Sequence, residues 1–144
     1  MNRAHFLLDV NVLIALTDKK HVHHELTTDR FNEQLSQDWG ICAFTETGFV
    51  RVVTRSTIGA LSVREATEIL KRLAAHPGYK FWAMTETWST ITAPIKNRIF
   101  GHQQITDAYL VGLAIKENGI LVTLDKALSH LAGREFSRNV LTLE

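Results

Sequence analysis

An α/β fold, with a central parallel sheet covered by helices on both faces, follows from three features of this sequence. Apolar runs in the stretch from His5 to Leu16, which Asp9 interrupts, and at Gly40–Phe44, Ile120–Leu124 and Val140–Leu143 lack the polar alternation of a sheet wetted on one side, so both faces are expected to be buried. Helical patterns separate these runs, the order expected of a parallel sheet. Four acids, Asp9, Glu46, Asp107 and Asp125, each stand where an apolar strand or loop gives way to a helix. In an open parallel sheet those junctions lie along one edge, where ligands bind.

Taken in order, the chain opens with an apolar strand interrupted by Asp9, and Asn11 to Leu16 continues as a short apolar helix. Val22 to Leu35 reads as a polar helix with few core contacts. Gly40 to Phe44 is a second strand, and a helix follows from Thr45, with Phe49, Val50, Val52 and Val53 on its apolar side. Ser62 and Glu65 form a capping box, opening a helix that Pro77-Gly78 ends. Tyr79 to Met84 reads as a third strand, Thr85 to Thr92 as a short helix, and Pro94 begins a loop carrying Lys96, Arg98, Gly101 and His102. Gln104 to Asn118 is a helix apolar all round between Ala108 and Ile115, hence central, with Gly119 as its stop signal. A strand at Ile120–Leu124, a short helix from Asp125 to Leu131 and a last strand at Val140–Leu143 complete the pattern.

At 144 residues the chain is expected to form one domain, 1–144, with a substantial core. Sixteen basic and fifteen acidic side chains leave a net charge of +1, which excludes a protein that coats nucleic acid through bulk charge. Cys42 is the single cysteine, so neither an internal disulfide nor a cysteine-built zinc site is available. No apolar stretch reaches the ~18 residues of a membrane span. Asp9 interrupts the N-terminal apolar run before it could serve as a secretory signal, and a cytoplasmic location is expected.

Each acid alone has a structural reading. Asp9, Asp107 and Asp125 stand at N-cap positions, and Glu46 stands in a first turn favoured by the helix dipole. Jointly they say more. Four carboxylates collected at one sheet edge repel one another unless a cation joins them. Oxygen donors alone suit Mg²⁺ or Mn²⁺ rather than zinc. Asn11 and Thr123, uncharged hydrogen-bonding groups beside two of the acids, are candidates to orient a carboxylate or a water; they also read as a first-turn asparagine and an ordinary strand threonine.

Leu8-Asp9-Val10-Asn11-Val12-Leu13, Thr45-Glu46-Thr47-Gly48-Phe49-Val50-Arg51, Ile105-Thr106-Asp107-Ala108-Tyr109-Leu110 and Leu121-Val122-Thr123-Leu124-Asp125 together resemble a PIN domain. More narrowly they resemble the VapC-type ribonuclease toxins of bacterial toxin–antitoxin pairs, with the motifs in family order across essentially the whole chain. The resemblance implies a metal-dependent endoribonuclease whose acidic site is Asp9, Glu46, Asp107 and Asp125. It further implies an RNA substrate, an antitoxin protein that blocks the site, and a homodimer. The segment from Thr57 to His102 carries no family motif.

Phosphodiester hydrolysis in such a site calls for Asp9, Asp107 and Asp125 to hold metal, and for Glu46 to ligate it or position the attacking water. Arg51, Arg55, Lys96, Arg98 and Lys126 lie near motifs and are candidate RNA contacts, with Lys96, Arg98 and Arg51 foremost. His21, His23 and His24 invite a metal reading, but read better as the start of a polar surface helix. Trp39, Trp82 and Trp88 read as core or dimer packing before base stacking. Two rival functions remain. One is a PIN-like module that binds RNA or protein without cutting. The other is a phosphatase with Asp9 as covalent nucleophile; haloacid-dehalogenase-like enzymes place a second aspartate two positions on, where this chain has Asn11.

Overall fold

The computed structural model describes residues 3–55 and 60–144. Four strands, β1 (Phe6–Leu8), β2 (Trp39–Gly40), β3 (Ile120–Thr123) and β4 (Val140–Thr142), form one sheet in the order β2-β1-β3-β4, and every pairing is parallel. The helices are α1 (Val10–Thr17), α2 (His24–Arg30), α3 (Ala43–Arg55), α4 (Val63–Ala74), α5 (Trp88–Thr92), α6 (Ile105–Lys116) and α7 (Ala127–Ala132).

The two-residue period of a strand sends alternate side chains to opposite faces. Leu7 and its partner Leu121 enter a core completed by α5, α6 and α7. Phe6, Leu8 and Val122 enter the opposite core with α1, α3 and Trp39. Helices therefore cover both faces, as the apolar strands require. From β1 the chain turns one way to β2 and later returns on the other side to β3 and β4, so the order reverses beside β1. A crevice opens outside the strand C-termini at such a switch point, and Asp9 and Asp125 follow the two strands that flank it.

Several elements differ from the sequence reading. The expected strand Gly40–Phe44 is Trp39–Gly40 with a lone bridge at Cys42, because α3 has begun by Ala43. The expected strand Tyr79–Met84 is reduced to bridges from Tyr79 to Trp39 and from Trp82 to Cys42. Helix α2 is shorter than Val22–Leu35 and passes into a π-helical turn, Phe31–Leu35. That segment is also better anchored than expected: Thr27 and Leu35 are fully buried, and Leu26 and Phe31 pack on the core. The loop expected after Pro94 is a 3₁₀ turn, Ala93–Arg98, followed by another at His102–Gln104. At the end of α6 it is Asn118 that takes the left-handed conformation, φ 52°. Gly119 is required instead by crowding, since a Cβ there would lie 2.5 Å from the Trp82 ring. The capping box at Ser62 and Glu65 forms as read. Among the described residues no helix is long and apolar enough to cross a membrane.

Helix α6 can sit at the centre because Gly112 lets α5 approach. A Cβ at Gly112 would stand 2.3 Å from the carbonyl oxygen of Ile91, which is backbone and cannot rotate away. Gly112→Ala is expected to destabilise the protein by about 1–3 kcal/mol, read as a fall of several degrees in the thermal midpoint. A midpoint equal to wild type would show that α5 is free to move.

Candidate acidic site

Asp9 is the first residue beyond β1 and the N-cap of α1. Its Oδ1 accepts from the Val10 amide at 2.8 Å, and its Oδ2 accepts from the Thr123 hydroxyl at 2.8 Å. Thr123 ends β3, the neighbour of β1, so the sheet itself sets this pair side by side. The same hydroxyl oxygen accepts from the Asp125 amide at 3.0 Å and from Asn11 Nδ2 at 3.3 Å. Asn11 Oδ1 in turn accepts from the Leu124 amide at 3.1 Å. One buried hydroxyl thereby uses its donor and both lone pairs, and fixes Asp9, Asn11 and the turn that presents Asp125. Asp125 Oδ1 accepts from the Ala127 amide at 2.9 Å, a local turn just ahead of α7, whose N-cap is Lys126.

The third aspartate arrives on α6. Asp107 is half-buried in the first turn of that helix. Burial, and then the charges of Asp9 and Asp125, push its carboxyl up to about 6. Burial also raises Asp9, against the hydrogen bonds from Thr123 and Val10, and the Asp125 charge adds to the rise. The three carboxyls thus share one electrostatic environment. Among the described residues no lysine or arginine forms an ion pair with any of them. A hard dication suits this donor set. The carboxylates do not, however, stand at ligand spacing: among the described residues no three acidic, histidine or cysteine side chains already enclose an ion position. Charges act over several ångströms through a low dielectric, whereas ligation needs oxygens at about 2.0–2.6 Å, so the group would have to draw inward to hold a metal.

Glu46 is placed differently. On α3, Phe44 meets the Tyr109 ring of α6 at 5.3 Å, and Gly48 lies against Val10 of α1, where a Cβ would stand 2.7 Å from the valine methyl. These two positions mark the side of α3 turned to the aspartates. Glu46 is two residues, about 200°, away from Gly48, and its charge acts on Tyr79, whose hydroxyl it helps to raise behind the larger effect of burial. The structure brings Asp9, Asp107 and Asp125 together with Asn11 and Thr123; the charge of half-buried Glu46 acts on Tyr79, while Asp107 responds to Asp9 and Asp125, and Asp9 to Asp125. Arg51 falls on the stripe of Phe44 and Gly48 and is exposed, as are Arg55, Lys96 and Lys126. Arg98 is half-buried, its guanidinium lying where a side chain on Gly133 would be.

Other residues find structural places. His24 contacts the Ala15 carbonyl at 2.7 Å, and His21 accepts from the His23 amide at 3.0 Å. Trp39 and Trp82 are buried, while Trp88 is partly exposed. Cys42 is buried and free. The sequence reading passed over Thr45, fully buried, whose hydroxyl donates to the Leu8 carbonyl at 3.0 Å and ties α3 to the strand end that carries Asp9. Its place immediately before Glu46, where an apolar strand yields to a helix, was the available signal.

The model of the PIN domain matches residues 6–134. Ribonuclease VapC44 of Mycobacterium tuberculosis is 38% identical over 125 residues, spanning 85% of this chain and 87% of its own. Among solved structures, M. tuberculosis VapC20, described as a sarcin-ricin loop cleaving toxin, superposes with a TM-score of 0.64 at 12% identity, covering 86% of this chain and 92% of that one. A toxin–antitoxin complex from Klebsiella pneumoniae gives 0.63 at 14%, covering 94% and 95%. The chain belongs to the PIN-domain family, on its VapC branch. Ribonucleases of that branch generally depend on a divalent metal.

The raised carboxyl of Asp107 has a consequence for the metal-free fold. Its contribution is fully present below the unfolded value of 3.8 and is lost as the pH rises through about 6. After allowance for solvent screening of a half-buried group, the loss is roughly 1–2 kcal/mol. In EDTA, Asp107→Asn is expected to flatten this fall and to melt above wild type at pH 7; identical pH profiles would contradict it. Thr123→Val, which strands the Asp9 carboxylate and the Asp125 amide, is expected to cost about 2–4 kcal/mol, measured by chemical denaturation.

Proposed function

We propose that this chain is a divalent-metal-dependent endoribonuclease, the toxin of a type II toxin–antitoxin pair. The observation that carries the reading is the grouping of Asp9, Asp107 and Asp125, without a cationic partner among the described residues, at the switch point of a parallel sheet, where burial and the neighbouring carboxylates raise Asp9 and Asp107. The VapC relative named a ribonuclease, the neighbour described as a cleaving toxin and the neighbouring toxin–antitoxin complex support it. Asp9, Asp107 and Asp125 are the residues that would hold the ion, Mg²⁺ or Mn²⁺. Such an ion supplies charge relief on the phosphate and lowers the pKa of water at the site.

The chain's own residues supply orientation. Thr123 aims the Asp9 carboxylate, and Asn11 and the Leu124 amide brace the turn from β3 to Asp125. Glu46 is the fourth acid, ligating the ion or positioning the attacking water. Lys96, Arg98 and Arg51 contact the RNA backbone around the cleft. The cognate antitoxin covers the same acidic cleft, the toxin works as a homodimer, and the whole operates in the cytoplasm as one domain. A competing reading, a PIN-like module that binds without cutting, is favoured by the lack, among the described residues, of acids already at ligand spacing.

Purified protein incubated with total RNA separates the two. Discrete cuts are expected with Mg²⁺ or Mn²⁺, leaving 5′-phosphate and 3′-hydroxyl ends, and none with EDTA or in Asp9→Asn. Glu46→Gln is expected to lose less rate than Asp107→Asn. Ends bearing 2′,3′-cyclic phosphate, or unaltered cutting by Asp9→Asn, would refute the mechanism; intact RNA throughout would favour the binding module.

A further inference from the structure

Residues 87–106 contain no aspartate or glutamate, in a chain that has fifteen acids, yet they carry Lys96, Arg98 and His102. Phe100 stands in the middle of this stretch. It is 86% exposed, more than any other phenylalanine, tyrosine or tryptophan among the described residues. Its backbone is not loose: the Phe100 amide donates to Gln104 Oε1 at 2.7 Å, closing the loop onto the 3₁₀ turn that enters α6. On the other side, the Arg98 guanidinium lies over Gly133 just past the end of α7, so the loop is pinned there too. A phenyl ring is thus held in water between two anchored residues, with Arg98 and Lys96 two and four residues before it in sequence.

The loop leads directly into the helix that bears Asp107. Gly101 is extended, and from its reach and the rises of the 3₁₀ turn and α-helix, Phe100 is at most roughly 15 Å along the chain from that residue, within reach of a nucleotide or two flanking the site. An exposed ring among lysine and arginine, with no acid nearby in sequence, matches a polyanion that has an aromatic face at each step. Single-stranded RNA is such a ligand, bound through bases stacked on aromatic side chains and phosphates held by cations. A protein partner would use the ring but not the acid-free basic surround. We infer that Phe100 is a stacking post for an unpaired RNA base, with Lys96 and Arg98 holding the adjoining phosphates, and so favours single-stranded over paired substrate for the proposed nuclease. The inference rests on the RNA-cleaving reading for its biological meaning.

The test is a binding titration independent of cleavage. Fluorescein-labelled single-stranded oligoadenylate of about 12 nucleotides and an abasic ribose-phosphate strand of equal length are titrated with wild type, Phe100→Leu and Phe100→Trp in EDTA, followed by anisotropy. Phe100→Leu is expected to weaken oligoadenylate binding about 5- to 100-fold and to leave the abasic strand unaffected. Phe100→Trp should bind as wild type does. Equal loss on both strands, no loss on either, or no binding by wild type would overturn the post. A failed titration with metal-dependent cleavage intact removes the stacking post alone. A successful titration without cleavage removes the nuclease reading alone.

Discussion

The structure depends on the satisfaction of one buried carboxylate. Asp9 ends a strand that is apolar on both sides, and a charged group there is costly unless hydrogen-bonded. Its partners are the amide that follows it and the hydroxyl of Thr123 on the neighbouring strand. That second bond exists only if β3 lies beside β1 in register, with Leu8 opposite Val122. Sliding β3 by one residue would turn Thr123 to the opposite face and Val122 into the acid's place. The carboxylate therefore specifies the pairing as firmly as the apolar side chains do.

From that bond the rest of the site is assembled by short links. The hydroxyl that holds Asp9 also holds the amide of Asp125, and Asn11 braces the same turn from α1. Asp107 is delivered by the first turn of a helix whose following residues, Ala108 to Ala114, are buried, which fixes its backbone beside the other two charges. The outcome is a local conflict within an otherwise consistent fold, the pattern expected where function overrides stability.

The sequence revealed the strand–helix alternation and the two-faced burial, because apolar runs and helical periods reflect the cores directly. It also revealed Asp9, Asp107, Asp125, Asn11 and Thr123 as a spatial group, because the strand ends of a parallel sheet lie on one edge. It did not reveal that the charge of Glu46 acts on Tyr79. A motif gives a residue's place along α3, whereas Tyr79 comes from a segment that carries no motif. The strand expected at Tyr79–Met84 failed for another reason. Its apolar and aromatic composition is right for a strand, but only Tyr79 and Trp82 meet partners on the short β2 edge.

The bond between Asp9 and Thr123 spans 114 positions of sequence. Closing so long a loop comes late in folding, since its entropic cost precedes the contacts that offset it. During synthesis the N-terminal half emerges with β1 unpaired on one side, and Asp9 lacks both its hydroxyl partner and the two other aspartates. The acidic group comes into being only when the segment from α6 to β3 has left the ribosome and docked. A nascent or C-terminally truncated chain is accordingly inert at this site, so the timing of any activity is governed by the completion of the polypeptide.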